Sequence, residues 1–324
     1  MTVSGHGDEH DPEFIVSTDL APVDSSPEID TGVDPEDEGS SGELSPTRLA
    51  WKRFLANRLA VAGLVILSAL VILCVFLPVV MSLEPNAVDA AQFRKGPSDG
   101  RPLGSDSAGR DVFARLVYGG RVSLLVGLSA AFSATVIGMA LGAAAGFFGG
   151  FVDGFISRVT DVVLSFPTVV IIIIVAAFAG PSLKVLILSI ALFEWPTACR
   201  LVRGLTLSLR EQESVVAARG LGGRSLHILR RHIVPATIAP LTVVATLLVA
   251  QAILLEAALS FLGLGVPPPT ASWGNMLTES QSLTILESMP WLWIPPGAAI
   301  AVAVLAVNFV GDGLREMADP RQQR

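Results

Sequence analysis

The chain has 324 residues, of which 51% are hydrophobic and only 16% are charged. Soluble globular domains carry about a quarter of their residues as charged side chains, so this composition argues against one and indicates an integral membrane protein. The formal net charge of −7 is misleading, because residues 1–46 contain thirteen Asp and Glu and no Lys or Arg. The rest of the chain carries sixteen acids against twenty-two bases, so its membrane-associated part is basic.

The N-terminal segment, residues 1–46, is rich in Asp, Glu, Ser, Pro and Gly. Such a segment cannot bury enough apolar surface to offset the entropy of ordering, so it is predicted to be a disordered, acidic cytoplasmic tail. It lacks the basic stretch and apolar core of a signal peptide. The histidines and acids from His6 to Asp11 could hold a metal ion loosely, but a solvated tail is the simpler interpretation, so no metal site is predicted.

Six largely apolar stretches are long enough to cross a bilayer, whose hydrocarbon core takes roughly 20 residues of helix, although Glu194 interrupts the fourth. A charge at the centre of that core costs about 2.5–3.5 kcal/mol on insertion scales, so uncharged stretches mark the spans. The predicted spans are residues 59–83, 122–146, 162–181, 185–203, 235–256 and 290–311. The sequence therefore predicts an all-α fold, a polytopic membrane bundle of six transmembrane helices within residues 47–320. The apolar run 257–278 is predicted to be an outer loop, because its three consecutive prolines would break a helix.

Six spans place both termini on one side of the membrane, and the distribution of Lys and Arg indicates that this side is the cytoplasm. Basic residues flank the first and last spans and are dense in residues 204–234, whereas none occurs from Ile233 to Leu314. Residues 84–121 conflict with this orientation. They carry six Lys and Arg residues on the predicted outer side: Arg94, Lys95, Arg101, Arg110, Arg115 and Arg121.

Small residues recur at every fourth position of the second span, at Gly138, Gly142 and Gly146. Such a face lets two helix backbones approach closely. The neighbouring helix could belong to this chain or to a second membrane subunit, and the sequence leaves both open. Asp153 and Asp161 follow this span and either brace the neighbouring loop or are solvated.

Two acids, Glu194 and Glu256, interrupt otherwise apolar runs. An acid within a membrane span is a functional candidate by default, so either residue could line a translocation path. Pairing with an arginine or contact with water at the membrane interface is the favoured interpretation for Glu194. For Glu256 the structural and functional interpretations are balanced.

The loop between the fourth and fifth spans, residues 204–234, combines many arginines with apolar residues at helical spacing. The apolar positions are Val215, Ala218, Leu221, Leu226, Leu229 and Ile233. Arginines keep the loop in water, so its apolar stripe is typical of a surface that binds a partner.

This loop resembles the coupling motif of bacterial ABC importer permeases, E-A-A-x3-G-x9-I-x-L-P. The matching positions are Ala217, Ala218, Gly222 and Pro235, with the 13-residue step from glycine to proline that the family has. Val216, His232 and Val234 stand where the motif has Glu, Ile and Leu. The dipeptide, oligopeptide and nickel branch often relaxes these same positions.

Further colinear segments resemble that branch over roughly residues 48–320. They are residues 101–128, 146–167, 195–204, 256–277 and 308–320. The resemblance implies the type I ABC importer permease fold and a permease subunit in the cell membrane that translocates peptides or similar small solutes. It also implies a second homologous permease subunit, two cytoplasmic P-loop ATPase subunits and an extracytoplasmic substrate-binding protein, with no nucleic acid involved.

The resemblance implies that the helix from Glu213 to Gly222 docks into a groove on one ATPase, as amphipathic helices often do. The predicted coupling residues are Glu213, Val215, Val216, Ala217, Ala218, Arg219, Leu221, Gly222, Gly223 and Pro235. In this interpretation the alanines permit close approach, Val215 and Leu221 bury apolar area, and the glycines permit a turn. Pro235 suits the first turn of the next membrane helix, where its missing N–H is not needed.

Nothing in the chain matches G-x4-G-K-[ST], the loop that cradles nucleotide phosphates. The chain is therefore predicted to be a non-catalytic subunit without a cofactor of its own, and ATP is expected on the partner ATPases. The alternative is a self-contained secondary transporter or channel, which usually needs midplane acids at broken helices. Glu194 beside Pro196 is the one candidate for such an ion site, and the sequence shows no obvious inverted repeat.

Overall fold

The computed structural model describes residues 54–318, so the predicted tail at residues 1–46 lies outside the described residues. Within that range the chain is helical and has no strand, only two isolated β-bridges. The helices are α1 (Arg58–Val80), α2 (Val112–Phe148), α3 (Gly150–Leu164), α4 (Thr168–Ala179), α5 (Leu183–Leu209), α6 (Glu213–Gly220), α7 (Ser225–Ile228), α8 (Val234–Phe261), α9 (Trp273–Leu277), α10 (Leu283–Ser288) and α11 (Ile294–Ala318). Short 3-10 turns occur at Ala90–Gln92, Thr278–Gln281 and Pro290–Leu292.

Five helical segments of the described chain are long and apolar enough to cross a membrane, which confirms the predicted all-α membrane bundle. They are Arg58–Val80, Val112–Phe148, Leu183–Leu209, Ser225–Phe261 and Pro290–Met317. A sixth span exists if α3 and α4, which are bent by 84° relative to each other, form one broken crossing.

The structure differs from the prediction in the third span, because residues 162–181 are not one helix. Helix α3 ends at Leu164, and α4 begins at Thr168 directly after Pro167. Proline disfavours helical geometry in the residue before it and cannot donate a backbone hydrogen bond. With 12 residues, α4 is about 18 Å long, which is shorter than the hydrocarbon core.

The centre of the bundle is the packing of α2 against α5, which run in the same direction. A Cβ atom added at Gly138, Gly142 or Gly146 would lie 2.5–2.9 Å from a backbone carbonyl oxygen of α5. Only glycine allows two backbones to come this close. The small-residue face of the second span therefore packs within this chain.

One end of the bundle is covered by a cap, defined as residues 81–111 and 262–293. The two segments meet where Glu279 accepts hydrogen bonds from the backbone N–H of Ser107 (3.2 Å) and from its Oγ (2.7 Å). The loop 204–234 lies at the opposite end. The predicted outer loop 257–278 begins later than expected, because α8 continues to Phe261 before the chain enters the cap.

Most of the cations that conflict with the predicted orientation have structural partners in or next to the cap. Arg101 pairs with Asp89 at 3.5 Å, and Arg110 pairs with Asp106 at 2.7 Å. Arg121 donates to the backbone carbonyls of Cys74 (2.6 Å) and Val75 near the end of α1. These arginines are therefore accounted for by local structure.

We predict that Gly142→Ala destabilises the protein by about 1–3 kcal/mol, the usual cost of overpacking. The added methyl would lie 2.5 Å from the carbonyl oxygen of Cys199, on a backbone that cannot move without shifting α5. The measurement is unfolding of the purified protein in detergent. Gly204→Ala is the matched control, because Gly204 lies in α5 and no atom of residues 54–318 outside its own stretch of helix comes within 4 Å of its Cβ position. Equal stabilities of the two variants would contradict the close packing.

Candidate coupling site

The loop 204–234 is folded around a small hydrophobic cluster that attaches it to the end of α2. Val215 of α6 is only 2% exposed and packs with Phe147, Ile228 and Ile233. Phe147 is the penultimate residue of α2, and Ile228 and Ile233 lead into α8. The cluster therefore links α6 to two membrane-spanning helices.

Helix α6 ends in a Schellman motif, in which a residue of left-handed conformation closes the helix. Gly222 has φ +80° and its N–H donates to the carbonyl of Arg219 (3.0 Å), while the N–H of Gly223 donates to the carbonyl of Ala218 (3.0 Å). A Cβ at Gly223 would lie 2.6 Å from the Ala218 carbonyl oxygen. Glycine is therefore favoured at these two positions for different reasons. Gly222 adopts a left-handed backbone conformation, and Gly223 lies too close to the Ala218 carbonyl oxygen to carry a side chain.

Pro235 lies in the first turn of α8, as the sequence predicts, and α8 is in addition continuous with α7 through a π turn at Leu229–Ile233. The N–H of Val234 donates to the carbonyl of Leu229, five residues earlier. Pro235 has no N–H, and its ring would crowd the carbonyl of Arg231 in a regular α-helix. A locally wider turn directly before a proline relieves that conflict.

One face of α6 is open to solvent, and we name it the coupling face. It consists of Glu213, Val216, Ala217, Gly220 and Leu221, which recur at helical spacing and are all exposed. Leu221 is 90% exposed at the end of the helix. The two smallest residues, Ala217 and Gly220, lie between the larger apolar side chains, so a partner could approach the backbone of α6 closely.

Three of the predicted coupling residues within α6 lie away from this face. Val215 is buried within the chain, and Ala218 packs against the same cluster, so neither is available to a partner in the predicted way. The guanidinium of Arg219 lies 5.3 Å from the centroid of the Phe147 ring, a cation–π geometry that also holds α6 to α2. The sequence pattern identified the helix, and the predicted residues Ala217 and Leu221 are exposed, but it placed Val215 and Ala218 on the partner's side although they pack within the chain.

Ion pairs brace the end of α5 next to the loop. Asp153 of α3 accepts hydrogen bonds from Arg203 through both Nε and Nη2, the latter at 2.7 Å. The pair between Asp161 and Arg200, at 2.7 Å, is more than half exposed at both ends and so contributes little to stability. The sequence predicts that Asp153 and Asp161 either brace the neighbouring loop or are solvated, and the ion pair with Arg203 supports bracing for Asp153.

Glu256 is fully buried and is part of the scaffold. Its carboxylate accepts hydrogen bonds from Ser123 Oγ of α2 (2.7 Å) and from Ser260 Oγ (2.8 Å). Ser123 Oγ in turn accepts from the backbone N–H of Trp273 (3.1 Å). Glu256 therefore joins α2, α8 and the cap, which supports the structural interpretation of this acid, and its place on a translocation path stays a prediction. No pattern in the sequence points to Ser123 as the partner of Glu256.

Glu194 is also buried, with 6% exposure, but it has poor partners. Its nearest hydrogen-bond partner is Gln251 Nε2 of α8 at 3.5 Å, which is long for a hydrogen bond. None of the arginines in the described part of the chain pairs with it. Of the two favoured interpretations for Glu194, the arginine partner is therefore not found in the described residues, and contact with water at the membrane interface stays a prediction.

Comparison with known proteins identifies two family models that together cover most of the chain. The model for the binding-protein-dependent transport system inner membrane component matches residues 138–324. The model for the N-terminal TM domain of oligopeptide transport permease C matches residues 45–97.

Several bacterial proteins are similar over nearly their full length. A putative peptide permease protein of Brucella ovis is 45% identical over 278 residues, which are 86% of this chain and 92% of that protein. The dipeptide transport system permease protein DppC of Alkalihalophilus pseudofirmus is 40% identical over 289 residues, 89% of this chain and 94% of that protein. A putative peptide transport system permease protein of Brucella abortus is 38% identical over 277 residues, 86% and 93% of the two chains.

We predict that Glu256→Leu lowers the free energy of unfolding by about 2–4 kcal/mol, because it leaves two buried serine hydroxyls without their acceptor, at roughly 1–3 kcal/mol each. Glu256→Gln keeps an acceptor oxygen and should cost less than half as much. Thermal unfolding in detergent measures both. A Leu variant as stable as the Gln variant would show that these hydrogen bonds do not hold the cap to α2 and α8.

Proposed function

The chain belongs to the family of binding-protein-dependent transport system inner membrane components, and from this premise we propose that it is the permease subunit of an ATP-driven importer of peptides or similar small solutes. The substrate class is supported by the relatives, whose names describe peptide and dipeptide permeases. The match of residues 45–97 to an oligopeptide permease model supports the same class.

The observation that carries this proposal is the coupling face on α6. An exposed face with small residues between apolar ones fits a groove on a partner, the helix-in-groove mode of recognition. We assign the partner as one of two cytoplasmic P-loop ATPase subunits, which bind and hydrolyse ATP. In this assignment the chain is not an enzyme and holds no cofactor of its own.

Movement of α6 would reach the membrane by two routes. The first runs from Val215 to Phe147 and so to α2. The second runs through Ile228 and the π turn into α8, which is continuous with α7. Because packed clusters move as units, closure of the ATPases would tilt α2 and α8 together and change access to a path between this chain and a second homologous permease.

The orientation that follows places the coupling loop and both termini in the cytoplasm. The arginines of residues 204–234 support it, since cytoplasmic loops carry an excess of Lys and Arg. The cap then faces outward, where a substrate-binding protein would deliver its solute. The protein is accordingly a multi-pass component of the cell membrane.

Glu194 is the residue we retain as a candidate for the translocation path. It is a membrane-embedded acid with one long hydrogen bond, to Gln251 across the α5–α8 contact. An acid in this position is costly unless it has a function or a better partner in another conformation. Separation of α5 from α8 would expose it to a passing solute.

We predict that Ala217→Glu abolishes ATP-dependent peptide uptake, because it places a charge and added volume at the centre of the coupling face. Expression and membrane insertion should be normal, since the side chain of Ala217 is exposed in the described part of the chain. The measurement is uptake of a labelled dipeptide by cells or vesicles that contain the whole transporter.

Ala217→Ser is the matched control and should retain uptake, because it changes size and charge little. Ala218→Glu should behave differently, since it disturbs the cluster around Val215 and lowers the stability of the loop itself. Normal uptake by the Ala217→Glu protein would overturn the docking assignment.

A further inference from the structure

The cap contains a cavity of about 240 Å³ at the end of the bundle opposite the coupling face. Four charged residues line it: Asp106 and Arg110 before α2, Arg115 in the first turn of α2, and Glu279 in the second cap segment. The polar residues Ser260, Asn275 and Thr278, together with apolar residues, complete the wall. The cavity thus brings charges of both signs to one small space that the coupling mechanism does not use.

The two arginines have hydrogen-bond donors to spare. The carboxylate of Asp106 has its hydrogen-bonding capacity filled. It accepts hydrogen bonds from the backbone N–H groups of Ala108 and Arg110 (2.9 Å each) and from the Nε of Arg110 (2.7 Å). The Nε of Arg115 lies 3.4 Å from the same carboxylate. Within residues 54–318 the Nη atoms of Arg110 have no hydrogen-bond partner.

Arg115 is only 5% exposed, and its Nε pairs with Asp106 at 3.4 Å, but the rest of its guanidinium has only long contacts. Its Nη1 reaches three oxygens of the chain only at 3.4–3.5 Å, which is long for a hydrogen bond. Buried guanidinium groups normally have close acceptors, because an unpaired buried charge is costly. The cavity therefore lacks an acceptor of the kind that a carboxylate supplies, and two arginines recognise a carboxylate well.

Glu279 supplies the opposite charge. It accepts two hydrogen bonds, both from Ser107, whereas an ionised carboxylate can accept about four. Its remaining lone pairs are available to a cation. The cavity is thus lined by both unsatisfied donors and unsatisfied acceptors.

We propose that this cavity binds a small zwitterion, an amino acid or dipeptide, with its carboxylate at Arg110 and Arg115 and its ammonium group at Glu279. The choice of a peptide-like solute rests on the proposed function, and the charge complementarity rests on the cavity. On the outer face, such a site would hold solute near the entrance of the path.

The test is equilibrium dialysis of labelled dialanine against the purified full-length protein in detergent. Saturable binding is expected, and dialanine with its amino group acetylated and its carboxylate amidated should bind at least tenfold more weakly, because it has lost both charges. No saturable binding of dialanine, or equal binding of the uncharged analogue, would overturn the proposal.

Single substitutions test which cavity residue binds the ammonium group of the ligand and which binds its carboxylate. Glu279→Gln should weaken dialanine binding at least tenfold but leave N-acetyl-dialanine, which has no ammonium group, unchanged, whereas Arg110→Gln should weaken both. Arg101→Gln is the matched control, because Arg101 lies in the cap and pairs with Asp89 without lining the cavity. Variants that bind like the unchanged protein would contradict the assignment.

Separate controls distinguish a loss of ligand binding from misfolding and from a loss of coupling. If Arg110→Gln fails to fold, the comparison of ligand analogues on the unchanged protein and on Glu279→Gln decides the question alone. Ala217→Glu should retain dialanine binding while it loses uptake. Failure of the coupling proposal and failure of this binding proposal are therefore distinguishable.

Discussion

The cluster of Val215, Phe147, Ile228 and Ile233 is the contact on which a mechanical account of this protein depends. It lies at the water-facing end of the bundle, so burial of each large apolar side chain is driven by the hydrophobic effect and contributes roughly 1.5–3 kcal/mol. Without it, α6 would be an eight-residue helix on a flexible loop, too short to be stable by itself. With it, a partner that moves α6 must also move the ends of α2 and α8.

Inside the membrane a different force holds the bundle together. Lipid tails are as apolar as leucine side chains, so helices gain little from burying apolar surface and depend on close packing and hydrogen bonds. The glycine face of α2 supplies the first, and the buried Glu256 with its serine partners supplies the second. These rigid contacts join α2 to α5 and α8, so a tilt imposed at the loop would be carried along the helices.

The sequence alone could predict those features that depend on the residues of a single helix. Apolar length located five spans, and the fourfold spacing of Gly138, Gly142 and Gly146 identified a close contact. The break at Pro167 was visible in the sequence, but a measure of charge-free length ignores proline. The partner of the glycine face, α5, follows only from tertiary packing.

The faces of α6 and the partners of the buried acids were harder to predict for the same reason. A helical repeat shows that Val215 and Ala218 share a side, but Phe147, nearly seventy residues earlier in the chain, decides that this side is buried. Glu256 and Ser123 are 133 residues apart, and Glu194 and Gln251 are 57 residues apart. Their pairing is a property of the folded bundle, and no local pattern encodes it.

Site-specific photo-crosslinking in the native membrane tests the coupling account most directly. A photoreactive amino acid at Leu221, on the coupling face, should crosslink to a P-loop ATPase subunit that mass spectrometry identifies. The same group at Phe178, an exposed residue in α4 away from the loop, should not yield that product. An ATPase adduct from Leu221 alone is the result the account predicts. Adducts of Leu221 only with lipid, or with no ATPase, would contradict it.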